Sequence, residues 1–254
     1  MKFDQQYFEQ AEKIIIDTIN AYKPELMANF GLVKAEFKAD KSVVTSLDKA
    51  LEQKLKAALS KFDSSVGFLG EEYGQEGNTS SYWLIDPIDG TESFIRGLPS
   101  CRNILTFVDN GQVQYALANR FVTDDLFTAV RGQGTKKNGR PTRVNDQPLS
   151  RAWIEFSVRM LEPDGYEMYQ KLKPRIASIT VHQDFLRILD GSIEGIIVYK
   201  SGGQIWDYAP RAFLISEAGG RVVNIGQTTY DIHNFNMIAT NAVIFDEIVD
   251  LLSR

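Results

Sequence analysis

The run Trp83-Leu84-Ile85-Asp86-Pro87-Ile88-Asp89-Gly90-Thr91-Glu92-Ser93-Phe94 leads an apolar strand into the carboxylate of Asp86. Pro87 predicts the end of that strand, Asp89-Gly90 a tight turn, and Thr91 to Phe94 the start of a helix. Two carboxylates parted by a turn at a strand end can converge on one hard cation. Magnesium suits such a place, because it takes oxygen ligands in octahedral geometry and leaves positions for water or phosphate. The N–H groups of Gly90 and Thr91, at a helix N-terminus, suit a phosphate. Taken alone, the pattern reads first as an ordinary turn, and what lies on either side decides its reading.

On the N-terminal side, Gly70-Glu71-Glu72-Tyr73-Gly74 follows the short apolar run Val66-Gly67-Phe68-Leu69 and sets carboxylates at a second strand end. Further back, Thr45-Ser46-Leu47-Asp48 has the form of a capping box. A helix starts there, with Leu47, Leu51, Leu55, Ala58 and Leu59 as its buried stripe. Asp48 reads in two ways, as a helix acid favoured by the dipole or as part of a site. On the C-terminal side, Trp206-Asp207-Tyr208-Ala209 places another acid directly before an apolar helix, with Pro210 in its first turn. Alone, Asp207 fits an N-cap, and Glu71 or Glu72 a solvated loop. The case for a site rests on their combination.

The remaining elements alternate. Phe3, Tyr7, Ala11, Ile14, Ile15, Ile19 and Tyr22 recur at helical spacing, predicting an opening helix that ends near Lys23-Pro24. Ile104–Asp109 and Gln112–Ala118 flank Asn110-Gly111, a hairpin signal. Leu126–Val130 reads as a strand followed by a turn-rich stretch, and Gly195–Tyr199 as extended. Helices are expected over Asp184–Leu189, over Tyr208–Ala218 with Gly219-Gly220 as a stop, and over Phe245–Leu252. With no linker or repeat between them, the elements indicate α/β layers in a single compact domain over residues 1–254.

Composition narrows the function classes. The chain has 254 residues, 43% hydrophobic and 24% charged, with 28 Lys+Arg against 33 Asp+Glu and a formal net charge of -5. That balance argues against a surface built to coat nucleic acid. One cysteine, Cys101, excludes an intrachain disulfide and a multi-cysteine zinc site, and two histidines, His182 and His233, exclude a histidine-rich centre. Oxygen ligands remain. No apolar run approaches the about 20 residues that span a bilayer, and the first residues do not read as a signal peptide. A cytoplasmic protein without membrane partners is the expectation.

The chain resembles the inositol-monophosphatase superfamily, the lithium-sensitive, magnesium-dependent phosphatases. The main signature is Asp86-Pro87-Ile88-Asp89-Gly90-Thr91, and the second is Trp206-Asp207-Tyr208-Ala209-Pro210 through Glu217-Ala218-Gly219-Gly220. Supporting matches are Lys38 with Val44 to Asp48, Gly70-Glu71-Glu72, and Leu126 to Gly134. The resemblance implies a layered αβαβα sandwich of the inositol-monophosphatase and fructose-bisphosphatase type, commonly a homodimer. Glu71, Asp86 and the carbonyl of Ile88 would hold a first magnesium. Asp86, Asp89 and Asp207 would hold a second, and a third, weaker one is often found near Glu71. Phosphate would rest on Gly90 and Thr91. Water activated by a cation would attack phosphorus in line, with Glu71, Thr91 and Asp48 as catalytic candidates. The implied substrate is a small phosphorylated metabolite, inositol 1-phosphate by default. Histidinol phosphate, sugar phosphates and a nucleotide 3′-phosphate are the alternatives on the same scaffold.

Departures from the pattern lie on the substrate side. Glu92-Ser93 stands where many relatives carry Thr-Asn or Lys-Asn; Glu92 is expected to face solvent. The usual small-residue motif is missing near Ser178 to His182. Many inositol phosphatases carry a substrate-contacting glutamate seven residues before the aspartate of the second signature, where this chain has Lys200. A lysine cannot accept hydrogen bonds from hydroxyls and would suit a second anionic group or a different alcohol. Lys200 and His182 are the candidate substrate contacts, with His182 reading equally well as a core or helix-start residue. Cys101 reads as a small packed residue.

Overall fold

A computed structural model describes residues 3–33, 36–37, 43–158, 163–180, 184–200 and 202–253. By contacts the chain divides into two compact units, one reaching Arg131 with Lys137–Gly139, the other made of Gly132–Lys136 and the chain from Arg140.

The first unit begins with helix α1 (Gln5–Asn29), capped by Asp4, whose side chain accepts the Tyr7 N–H. The helix does not stop at Pro24 but carries it inside. A proline there costs about 3 kcal/mol. Continuing past it buries Leu26 in line with Tyr22, a side chain worth about 1.5–3 kcal/mol, which offsets much of that cost. Short strands β1 (Glu36–Phe37) and β2 (Val43–Val44) pair antiparallel. Helix α2 (Ser46–Phe62) starts at the Thr45 capping box as its sequence requires.

The sheet of this unit contains β3 (Gly67–Gly70), β4 (Gly74–Glu76), β5 (Ser81–Asp89), β6 (Arg102–Asp109), β7 (Gln112–Arg120) and β8 (Asp125–Val130), with the short helix α3 (Thr91–Ile95) between β5 and β6. Its order is β8-β7-β6-β5-β3-β4. Strands β3 and β5 run parallel and the other neighbours antiparallel. Asn110 (φ 47°) and Gly111 (φ 76°) turn β6 into β7, both left-handed as a two-residue type I′ hairpin demands. Phe8, Ile15 and Ile19 of α1 and Leu51, Leu55 and Leu59 of α2 pack with Trp83, Phe107 and Tyr115 of the sheet. Phe8 stacks on Tyr115 at 5.4 Å.

Strand β5 does not end at Pro87; it continues to Asp89, with a register shift against β6 between Asp86 and Asp89. A proline without an N–H is tolerated at such a bulge. The Asn103 side-chain amide donates to the Pro87 carbonyl at 2.7 Å and fixes the irregular stretch.

Two short strands, β9 (Thr135–Lys137) and β10 (Arg140–Thr142), follow the turn-rich residues 131–134. The second unit then has a 3-10 turn (Leu149–Arg151), β11 (Trp153–Val158), α4 (Pro163–Leu172), β12 (Ser178–Thr180), α5 (Leu186–Leu189), β13 (Gly195–Tyr199), α6 (Ile205–Glu217), β14 (Arg221–Asn224), β15 (Met237–Thr240) and α7 (Phe245–Ser253). Its sheet has the order β12-β11-β13-β15-β14. The first three strands run parallel, and β15 lies antiparallel to both neighbours. Ile154, Phe156, Ile197, Val223, Ile238 and Ile248 form its core. Helix α6 begins three residues before the expected Tyr208, because Gln204 and not Asp207 is its N-cap. Two mixed sheets with their helices make the chain a mixed α/β protein, as the alternation predicts. Among the described residues no helix is long and apolar enough to cross a membrane.

Candidate active site

In the first unit, parallel pairing of β3 with β5 sets Gly70 opposite Ile85. The Glu71 N–H still donates to the Ile85 carbonyl at 3.0 Å. Glu71 therefore follows directly on the end of β3, and Asp86 lies on the neighbouring strand β5 just before its irregular stretch. The turn after Glu71 is fixed from beneath by Glu52 of α2, which is fully buried. Its carboxylate accepts the N–H groups of Glu72 (2.9 Å) and Tyr73 (3.2 Å), one on each oxygen. A Cβ on Gly70 would stand 1.8 Å from the Glu52 Oε1, so this strand end needs a glycine. Burial pushes the Glu52 carboxyl up to about 7, against the lowering effect of the two amide donors and Lys56.

Asp86 and Asp89 are both buried, 1% and 7% exposed, and an oxygen of one lies within 4.8 Å of an oxygen of the other. Two buried carboxylates this close repel unless a cation or proton joins them. The Ile88 carbonyl accepts the Thr91 hydroxyl at 2.9 Å. Oxygen-only donors from carboxylate and carbonyl fit a hard divalent cation, magnesium foremost. Asp89 also forms a buried ion pair with Arg102.

Gly90, at φ 86°, caps α3, and a Cβ there would lie 2.8 Å from the Ser100 carbonyl oxygen. Helix α3 is only five residues long, so a phosphate at Gly90 and Thr91 would depend on individual N–H groups more than on a helix dipole. Thr91 Oγ1 lies 3.2 Å from Asp48 Oδ1. The other oxygen of Asp48 accepts both the backbone N–H and the hydroxyl of Thr45, at 2.8 and 2.6 Å. Burial raises the Asp48 carboxyl, and the Thr45 bonds oppose it. Asp48 thus closes the capping box of α2 and also reaches Thr91.

In the second unit, Asp207 sits one turn inside α6 and its Oδ2 accepts the Gln204 N–H at 2.6 Å. Lys200 takes a left-handed φ of 50°. Its Nζ lies 2.6 Å from Asp164 Oδ2, the oxygen that also accepts the Tyr199 hydroxyl at 2.9 Å. These donors hold the Asp164 carboxyl below its usual range, and the Asp164 bond raises the Lys200 ammonium. Lys38 and His182 lie outside the described residues. Glu92 is exposed and bonded to Arg96, as expected of a solvent-facing side chain. Cys101 is fully buried and packed.

Sequence reasoning missed Glu52, Arg102 and Asn103. Glu52 carries one faint signal, lying one helical turn after Asp48 and so on the same face. Arg102 and Asn103 carry none, because their roles depend on the β5–β6 register.

The profile of the inositol monophosphatase family matches residues 4–253. The histidinol-phosphatase of Mycobacterium tuberculosis is 26% identical over 233 residues, 87% of this chain and 88% of that protein. The inositol monophosphatase of Dictyostelium discoideum is 27% identical, covering 97% and 95%. Among solved structures, the extragenic suppressor protein suhB of Bartonella henselae superposes with a TM-score of 0.84 at 25% identity, over 96% of this chain and 99% of that one. With a whole-chain profile match and these strand-end acids in place, the chain belongs to the inositol monophosphatase family of metal-dependent phosphatases, enzymes that hydrolyse phosphomonoesters.

Proposed function

We propose that this protein hydrolyses the phosphate ester of a small alcohol, inositol 1-phosphate by default, with two magnesium ions, in the manner its signature motifs imply. Glu71, Asp86 and the Ile88 carbonyl are the proposed ligands of the first ion. Asp86, Asp89 and Asp207 are those of the second, Asp207 on the strength of the Trp206-Asp207 signature alone. When bound, the ions supply Lewis acidity and a nucleophilic hydroxide near neutral pH. The single observation that carries the reading is the pair of buried carboxylates, Asp86 and Asp89, brought within 4.8 Å by a bulged strand end beside Glu71.

The chain's own residues have distinct tasks. Thr91, anchored between the Ile88 carbonyl and Asp48, orients the attacking water, and Asp48 accepts the proton passed through the Thr91 hydroxyl. Gly90 and Thr91 N–H groups hold the phosphate. Lys200 and His182 are the proposed contacts to the alcohol, where a lysine favours an ester bearing a further acceptor or anion over a plain polyol.

Phosphate release from a panel of phosphate esters, with magnesium and with chelator, tests the activity. Asp86→Asn should lower turnover at least about a hundredfold, because cation-derived charge stabilisation is worth several kcal/mol. Wild-type turnover by a folded Asp86→Asn protein would remove the assignment.

A further inference from the structure

Glu194 immediately precedes β13, at the end opposite to the segment that leads to Asp207. It forms the floor of an open cleft of about 490 Å³ in the second unit, within the range of small-molecule sites. The residue is 5% exposed. One of its carboxylate oxygens accepts the Asn145 amide and the other the Trp153 N–H, both at 2.6 Å. The Glu194 N–H in turn donates to the Trp153 carbonyl at 3.0 Å. Asn145 also donates to the Gly191 carbonyl at 3.0 Å and so holds the turn that carries Ser192. The floor is therefore fixed by reciprocal bonds, and its negative charge already has two donors.

Arg151 from the 3-10 turn, Arg187 from α5, Trp153, Ser150 and Ser192 line this cleft. Alternation along β11 gives Ile154 and Phe156 to the core and turns Trp153 to the other face, where it is 47% exposed. Among the described residues neither guanidinium has an ion pair or a side-chain hydrogen bond, and the indole has no ring or cation partner. Guanidiniums take phosphate oxygens in paired hydrogen bonds, and an indole stacks a flat ring. Serine hydroxyls can both donate and accept, which suits a ribose or a phosphate.

We propose that this cleft is a second binding site, separate from the phosphatase centre, and that its ligand is a free mononucleotide. The phosphate lies on Arg151 and Arg187 and the base on Trp153. A bare phosphate would leave the indole unused, and a nucleoside would leave both arginines unused. A nucleic-acid strand carries the same base and phosphate, but the cleft is of single-nucleotide size and a chain of net charge -5 repels a long polyanion.

Equilibrium dialysis of labelled AMP against the full chain reads this directly. AMP is itself a phosphomonoester, so chelator is present throughout to prevent turnover. The wild type should bind one AMP per chain with a dissociation constant below about 1 mM. Inorganic phosphate and adenosine should each compete at least about tenfold more weakly. Arg151→Gln and Arg187→Gln should each weaken AMP by about ten- to a hundredfold. Trp153→Ala should weaken it at least about fivefold, while Trp153→Phe keeps a stacking ring and retains binding. If Arg187→Gln or a Trp153 variant does not fold by circular dichroism, Arg151→Gln, at an exposed position, carries the test. AMP should still bind to Asp86→Asn. Loss of binding there, with binding kept in the arginine variants, would put the nucleotide in the phosphatase centre and overturn the proposal. So would no saturation up to about 1 mM, phosphate binding as well as AMP, or a short oligonucleotide binding more tightly than AMP.

Discussion

A buried carboxylate is costly unless it has donors, and Glu52 accepts two backbone N–H groups, those of Glu72 and Tyr73. Those amides directly follow Glu71, so Glu52 holds the backbone that carries this proposed ligand. Glutamine at this position would keep one acceptor but turn its NH2 toward an N–H. Glu52→Gln should therefore weaken magnesium binding by about tenfold, the lower end of what outer-shell partners of metal ligands contribute, and calorimetry would read it. A pH dependence follows as well. The carboxyl is raised from 4.5 to about 7 in the folded protein, so between those values the native state holds a proton that the unfolded chain has released. Its contribution to stability is complete below the unfolded value and is lost as pH rises through about 7. In urea, with chelator present, the wild type should lose on the order of 1–3 kcal/mol relative to Glu52→Gln between about pH 5 and 7.5. Parallel pH curves for the two proteins would mean that Glu52 does not titrate in this range.

Lys200 poses a question of specificity at the same scale. If it meets the alcohol, Lys200→Glu should restore an acceptor for hydroxyls and raise kcat/KM for inositol 1-phosphate relative to an aryl phosphate by about ten- to a hundredfold, the worth of one buried hydrogen bond. The ratio of substrates is the quantity to follow, because general damage cancels in it. Asp164→Asn is the control, since the lysine is ion-paired to Asp164. A ratio that moves equally in both variants would trace the effect to the broken pair and not to substrate.

Among the elements, α2 shows how a local motif is put to two uses. Thr45 caps the helix through the Leu47 N–H and also holds Asp48 by its hydroxyl and its backbone N–H. Thr45→Ala should cost about 1–2 kcal/mol in urea denaturation. It should also lower kcat more than it raises KM, because Asp48 loses one of the two donors that hold it toward Thr91, the hydroxyl. Thr45→Ser should restore both, and a stability loss with kcat untouched would leave Asp48 as a cap alone. This helix start was legible because a capping box lies within four consecutive residues, and the Asn110-Gly111 hairpin was legible for the same reason. The misreadings share another cause. Pro24 and Pro87 read as stops by their local geometry, yet Leu26 continues the buried stripe beyond Pro24 and a bulge absorbs Pro87. Arg102 opposite Asp89 exists only in the paired sheet. Short-range signals located the acids; long-range register decided what stands behind them.

For the whole molecule, the decisive question is whether cation binding is a property of this site or of a chain with a net charge of -5. Any ion that binds only the native state raises its stability by mass action, about 2.7 kcal/mol at a hundredfold excess over its dissociation constant. In a protein of this size each kcal/mol moves the melting midpoint by about 2–4 °C, so saturating magnesium should raise it by roughly 5–10 °C over chelator. Diffuse screening of the excess acids would also stabilise, but it depends on ionic strength, not on which ion supplies it. Choline chloride at matched ionic strength should therefore give little of the rise. Asp86→Asn should abolish the magnesium-specific part, because it removes the buried carboxylate assigned to both ions while changing the net charge by a single unit. If the substituted protein kept the full shift, or if choline reproduced it, magnesium would be acting on the surface at large, and the strand-end acids would lose their role as the metal centre.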